Sequence, residues 1–178
     1  MIPAKEAQQK LIEGNNRYVS GKNSLHTHKS DLVDGQKPFA VILGCSDSRV
    51  APEIIFDQGA GELFVVRVAG NVVESSQLGS IEYAVEHLGV KLVVVLGHAD
   101  CGAVTATVNE LKNRSDNISH GIETVMQSIK PSAIKADLDI NLAITENVKA
   151  QVKKLSFGSD CVVIGAEFCL ETGIVNFI

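Results

Sequence analysis

Tryptophan is absent from the 178-residue sequence, and tyrosine (two) and phenylalanine (six) are sparse. Stacking platforms for bases or sugar rings are therefore not expected. Long apolar runs are missing too: the longest, such as Leu92 to Leu96, fall far short of the ~20 residues a helix needs to cross a bilayer. Positive charge is scarce. Sixteen Lys and Arg against 21 Asp and Glu leave a formal net charge of −5, with no cluster of basic residues. The basic face through which nucleic acid is bound is thus lacking, and an anionic substrate would have to be held by a local site. The opening Met1-Ile2-Pro3-Ala4-Lys5-Glu6 has neither the basic-then-apolar pattern of a signal peptide nor the Arg/Ser bias of a transit peptide. Unless a leader has already been removed, the expected location is cytoplasmic.

What is present suffices for one ordinary core. Hydrophobic residues make up 45% of the chain, too many for disorder and close to the average of soluble domains. The length suits a single domain over residues 1–178, with an N-terminal helix and arm over 1–37 and an α/β core over 38–178. The four cysteines, at 45, 101, 161 and 169, do not read as a disulfide framework, which serves short secreted chains unable to build a core. In a reducing compartment they are thiols, metal ligands or nucleophiles. The sequons at Asn113 and Asn117 carry no meaning there.

Strand-like and helical segments alternate along the chain. Ala4 to Tyr18 reads as a mostly polar helix opened by Pro3, and Gly21 to Lys37 as a loop or arm carrying His26 and His28. Phe39 to Leu43, Leu63 to Val66, Lys91 to Leu96 and Cys161 to Ile164 are apolar runs of strand length. Helices are expected after Pro52, from Gln77 to Leu88 with Ser75 or Ser76 as cap, and over Gly102–Leu111, Gly121–Ile129 and Ile140–Leu155. Glu171-Thr172-Gly173 reads as a turn into a last short strand, Ile174 to Phe177. Strands that are apolar on both faces and joined by helices indicate an α/β fold. The expectation is a mostly parallel sheet of about four strands flanked by helices, with an antiparallel C-terminal edge strand and an N-terminal helical arm.

In open α/β sheets ligands bind at the carboxyl ends of the strands. Two segments lie there: Gly44-Cys45-Ser46-Asp47-Ser48-Arg49 after the first strand, and Gly97-His98-Ala99-Asp100-Cys101-Gly102 after the third. Two thiolates and one imidazole suit Zn²⁺, and three protein ligands leave one tetrahedral position open, as in catalytic sites. Cys101 precedes a helix, whose N-terminal end favours thiolate. Taken singly, each cysteine could equally be a small core residue and His98 a surface or capping residue; the metal reading explains all three at once. Asp47 and Arg49 alternate with Cys45, which points the three to one side if the segment is extended. An Asp beside an Arg stays ionised. It could accept a proton or hydrogen bond from water on the metal, swing onto the metal itself, or merely brace the turn as a salt bridge.

Cys45-x-Asp47-x-Arg49 followed by His98-x-x-Cys101 resembles the signature of the β-class carbonic anhydrases. The surrounding Cys45 to Val50, Phe64 to Arg67, Asn71, Ile81 to Ala84, Cys101 to Ala103, Gly165-Ala166 and Glu171 to Gly173 fit as well, so the resemblance covers nearly the whole chain. It implies that Cys45, His98 and Cys101 hold one zinc ion per chain and that Asp47 and Arg49 form an orienting catalytic dyad. It further implies substrate-side roles for Gln36, Phe64, Tyr83 and Gly102. Gln36 and the two aromatics match the plant-like members, and the missing tryptophan sets the chain apart from members regulated by bicarbonate. Ala69 stands where a larger aliphatic residue is common, and Ala99-Asp100 varies the linker between the ligands while keeping their spacing.

The implied activity is reversible hydration of carbon dioxide to bicarbonate and a proton through a zinc-bound hydroxide, with Gln36 donating to the bicarbonate oxygen and Tyr83 or a surface histidine relaying the proton. His26, His28, His87 and His120 otherwise read as surface residues, and Cys161 and Cys169 as core. The resemblance also implies a homodimer or a multiple of it, with pocket residues shared between chains; the end at Ile178, earlier than in many relatives, bears on any larger assembly. Two other readings stay open: a hydrolase of COS or CS₂ on the same scaffold, and a non-catalytic zinc or thiol regulatory protein.

Overall fold

Strands without a polar face need cover on both sides, and the computed structural model, which describes residues 1–24, 32–33, 35–113 and 118–178, shows such a layered arrangement. Strands β1 (Ala40–Gly44), β2 (Leu63–Arg67), β3 (Leu92–His98), β4 (Val162–Phe168) and β5 (Val175–Phe177) form one sheet in the order β2-β1-β3-β4-β5. The first four are parallel and β5 is antiparallel to β4, as the sequence predicts. From β1 the chain moves to β2 on one side and returns to β3 on the other. The strand order therefore reverses between β1 and β3, the place where an open sheet leaves a crevice at its carboxyl end.

The helices are α1 (Ala4–Val19), α2 (Pro52–Ile55), α3 (Ser75–Glu86), α4 (Gly102–Lys112), α5 (His120–Lys135) and α6 (Ile140–Lys154). Alternate strand residues serve opposite layers. Ile42, Val94 and Leu96 share a core with Leu11 of α1 and Ile55 of α2, whereas Leu43, Val93 and Val95 share one with Ile81 of α3 and Val148 of α6. A third cluster joins Cys45 and Cys101 to Val104 of α4, Ile129 of α5 and Ile144 of α6. Helix α6 lies close on the sheet: a Cβ at Gly97 would come within 2.5 Å of Val148 Cγ2.

Several boundaries differ from expectation. β3 continues past Leu96 to His98 and β4 past Ile164 to Phe168, because the two pair in register through His98↔Phe168. Helix α3 begins at Ser75 after Glu74, with no side-chain cap, so neither Ser75 nor Ser76 caps it, and it ends at Glu86. Helix α5 runs beyond Ile129 to Lys135 through Pro131, its buried Ile129, Ser132 and Ala133 docking both sides of the proline; packing overrides propensity there. Cys161 is buried in the core as expected, and burial pushes its thiol pKa up. Cys169 is not a core residue. It is half-buried in the turn after β4, where hydrogen bonding to Thr172 lowers its pKa. His87 and His120 are exposed; His26 and His28 lie outside the described residues.

Candidate active site

The loop after β1 is tied down by its own side chains. Asp47 Oδ1 accepts from the Arg49 backbone N–H at 3.0 Å, and the Val50 N–H donates to the Asp47 carbonyl at 3.0 Å. The segment is thus a turn, not the extended run that would point Cys45, Asp47 and Arg49 to one side. The turn produces a different pairing: Arg49 grips Asp47 with Nε to Oδ1 at 3.0 Å and a terminal nitrogen to Oδ2 at 2.7 Å. Such a two-point clamp is among the stronger charged contacts. The Arg49 guanidinium holds the Asp47 carboxyl well below the usual carboxylate range. Arg49 also reaches across to the Asp100 carbonyl at 3.5 Å, linking the loops after β1 and β3.

Between those loops, the ligand atoms of Cys45, His98 and Cys101 all lie within 4.8 Å of one another, and all three residues are buried. Sulfur and nitrogen donors about a tetrahedral zinc sit roughly 3.3–3.8 Å apart, given bond lengths of about 2.0–2.3 Å. His98 Nδ1 is 2.8 Å from the Ala99 carbonyl, which assigns the N–H to Nδ1 and leaves the Nε2 lone pair free. Nε2 is buried and has no hydrogen-bond partner among the described residues. A buried imidazole with one nitrogen anchored on a carbonyl and the other unpartnered is arranged as a metal-ligating histidine is.

Cys45 and Cys101 move each other's pKa in opposite directions. The Cys101 thiol, hydrogen-bonded to the Cys45 sulfur, lowers the Cys45 pKa, and that same contact, with burial, raises that of Cys101. Cys101 stands at the N-cap position of α4, and the Val104 and Ala103 N–H groups pull its pKa down, in the direction the sequence predicts, although it is raised overall. They do not prevail over the Cys45 contact and burial; two adjacent thiolates would in addition repel unless a cation lay between them. Burial alone would depress the His98 pKa, but the Cys45 sulfur raises it overall. The donor set fits Zn²⁺.

The remaining predicted residues are placed less centrally. Gly102 is exposed beside Cys101, and among the described residues a Cβ there would meet nothing within 4 Å. Phe64 sits near the amino end of β2 and stacks at 6.4 Å on the exposed Tyr83 of α3, away from the carboxyl-end cluster. Gln36 is exposed and precedes β1, whereas Cys45 follows it. A five-residue strand, roughly 15 Å long, separates the two, so one chain alone does not bring Gln36 to the cluster.

Three features escaped the sequence reading. Arg67, at the end of β2, donates to the carbonyls of Cys45 at 2.9 Å and Asp47 at 2.6 Å. Gly70, with φ 69° in a short 3-10 turn, donates its N–H to Cys45 Sγ at 3.4 Å. Asn147 and Gln151 of α6 bond the same turn. Their four-residue spacing on an otherwise apolar helix face is a signal the sequence does hold.

Comparison with known proteins identifies the neighbourhood. The sequence profile of the family described as carbonic anhydrase matches residues 40–166. Carbonic anhydrase 2 of Mycobacterium tuberculosis is 49% identical over 134 residues, 72% of this chain and 63% of that protein. The chain thus spans less than two thirds of that relative's length. The carbonic anhydrase of Mycolicibacterium smegmatis is 41% identical over 168 residues, 89% of this chain and 81% of the relative. Among solved structures, the β-carbonic anhydrase CcaA superposes with a TM-score of 0.69 at 26% identity, covering 97% of this chain and 92% of its own.

Proposed function

The chain belongs to the β-class carbonic anhydrases, and from that membership we propose that it catalyses the reversible hydration of carbon dioxide to bicarbonate and a proton, with one zinc ion per chain. The observation that carries the reading is the buried Cys45, His98 and Cys101 cluster flanked by the Asp47–Arg49 clamp. When bound by these three residues, zinc supplies Lewis acidity that makes water a competent nucleophile at moderate pH.

The chain's own residues supply orientation and charge. Arg49 bonds both oxygens of Asp47, which holds the carboxylate in place and would keep it off a bound metal. Oδ2 accepts from Arg49 and, with a second lone pair, has capacity to accept a hydrogen bond from the attacking water and to fix its direction. Arg67 holds the loop after β1 through the Cys45 and Asp47 carbonyls, and the Asp100 carbonyl accepts from Arg49. Gly102 leaves room for the substrate. Gln36, from a second copy of the chain, donates to the oxygen that gains charge as bicarbonate forms, with Phe64 and Tyr83 on the same shared surface and Tyr83 or a surface histidine relaying the proton. The assembly is accordingly a homodimer or a multiple of it; sedimentation at the mass of one chain would overturn that. No helix among the described residues is long and apolar enough to cross a membrane, and a cytoplasmic, plant-like enzyme without bicarbonate regulation is the matching setting.

Two thiolates neutralise the dication more than imidazoles do, so activity should rise toward alkaline pH. Stopped-flow hydration of carbon dioxide across pH, with zinc measured on the same sample, tests the proposal. Full zinc with no turnover at about pH 8.5, above the ~7 midpoint of imidazole-bound zinc sites, would sink it. A larger turnover of COS than of carbon dioxide would favour the related hydrolase instead.

A further inference from the structure

Resting on the reading of Cys45, His98 and Cys101 as zinc ligands, we infer that Asn147, backed by Gln151, is a positioning residue of the metal centre, presenting the Gly70 amide to the Cys45 sulfur. Both side chains are primary amides with almost no exposure, 1% for Asn147 and 0% for Gln151. Burying such groups is costly unless each polar atom is paired, and the apolar face of α6 offers no reason of its own to hold them. Their partners give the reason. Asn147 Nδ2 donates to the Gly70 carbonyl at 2.8 Å, Gln151 Nε2 donates to Asn147 Oδ1 at 3.0 Å, and Gln151 Oε1 accepts from the Val73 N–H at 2.9 Å. The two amides thereby grip the turn at residues 70 and 73 and brace each other between.

The turn so held gives a backbone donor to a ligand: the Gly70 N–H donates to Cys45 Sγ, 3.4 Å away. Gly70 is confined from a third side, since its φ is 69° and a Cβ would lie 2.6 Å from Ile129 Cδ1. Helix α6, which carries no metal ligand, is in this way connected to the sulfur through two hydrogen bonds and one residue. An N–H···S bond withdraws electron density from a thiolate, so the metal it ligates keeps more positive character, and outer-shell donors of this kind also hold the ligand in its productive orientation.

The test compares Asn147→Leu, which removes the amide at similar volume, with Leu11→Ala, a core truncation in the opposite layer that touches no residue of the site. Zinc affinity is read by competition with a chromophoric chelator, and the ligand field by the sulfur-to-metal absorption of the Co²⁺-substituted protein. Asn147→Leu should weaken zinc binding about 10-fold or more and shift the Co²⁺ band, while Leu11→Ala lowers the melting temperature with both readouts at wild-type values. Gln151→Leu, which leaves Asn147 in place, should shift both in the same direction by less, and it serves as the readout should Asn147→Leu not fold. Wild-type affinity and spectrum in the folded Asn147 or Gln151 variants would overturn the inference, as would equal changes in Leu11→Ala. Failure of the unaltered protein to bind a stoichiometric metal ion at all would instead overturn the reading of the ligands.

Discussion

At Asp47 both carboxylate oxygens belong to one guanidinium, and the consequences for pH follow from that clamp. Arg49 holds the Asp47 pKa below the usual range. The ionised form, and whatever order it imposes, is therefore complete above the ordinary carboxylate value of about 3.9 and is lost only as pH falls through the lowered one. Any change of rate between pH 6 and 9 must come from elsewhere in the site. Arg49→Ala removes the clamp that lowers the Asp47 pKa and lets it rise toward the carboxylate range, so its stopped-flow profile should fall in amplitude and keep its shape between pH 6 and 9; an added ionisation above pH 6 would contradict the assignment. Asp47→Asn, which cannot accept in the same way, should cost about 100-fold or more in kcat/KM with zinc content unchanged. Full activity would leave the pair a turn brace only. The motif spacing made these residues legible. The bidentate geometry was not, because it depends on a turn closed by backbone hydrogen bonds between residues 47 and 50.

The elements were legible wherever apolar periodicity was strong. Each parallel strand stood out as an unbroken run, and α1, α4 and α6 were bounded within a residue or two of their observed ends. Misplaced boundaries arose where tertiary pairing extends an element: β3 and β4 continue together to His98 and Phe168, and no local signal marks that extension. The same pairing explains Gly97. With α6 seated so close that a Cβ would approach Val148 Cγ2 to 2.5 Å, Gly97→Ala should cost about 1–3 kcal/mol by overpacking, read as a lower urea midpoint. Adding Val148→Ala should relieve part of that loss, since contacting sites couple. Strictly additive losses would show that α6 does not rest on Gly97.

For the whole molecule, the metal and the fold should be linked. The candidate ligands come from the end of β3 and the loops after β1 and β3, which only the folded sheet brings together, so zinc would bind the native state in preference to the unfolded chain. At free zinc 1,000-fold above the dissociation constant the linkage is about 4 kcal/mol. In a domain of this size that is a melting temperature roughly 10 °C higher than after chelation, measurable by differential scanning fluorimetry; equal melting with and without chelator would mean that the cluster holds no tightly bound ion. The amino-acid sequence by itself determined the fold class, the lack of a Lys/Arg cluster and the three candidate metal-binding residues, since these depend on composition, periodicity and short spacings. Tertiary structure alone decided that Gln36 and the Phe64–Tyr83 pair lie away from the cluster within one chain, that Cys169 leaves the core, and that Asn147 and Gln151 of a distant helix support Cys45. Those outcomes depend on which elements meet across the sheet, over separations such as the 77 residues from Gly70 to Asn147, and no local pattern encodes a contact at that range.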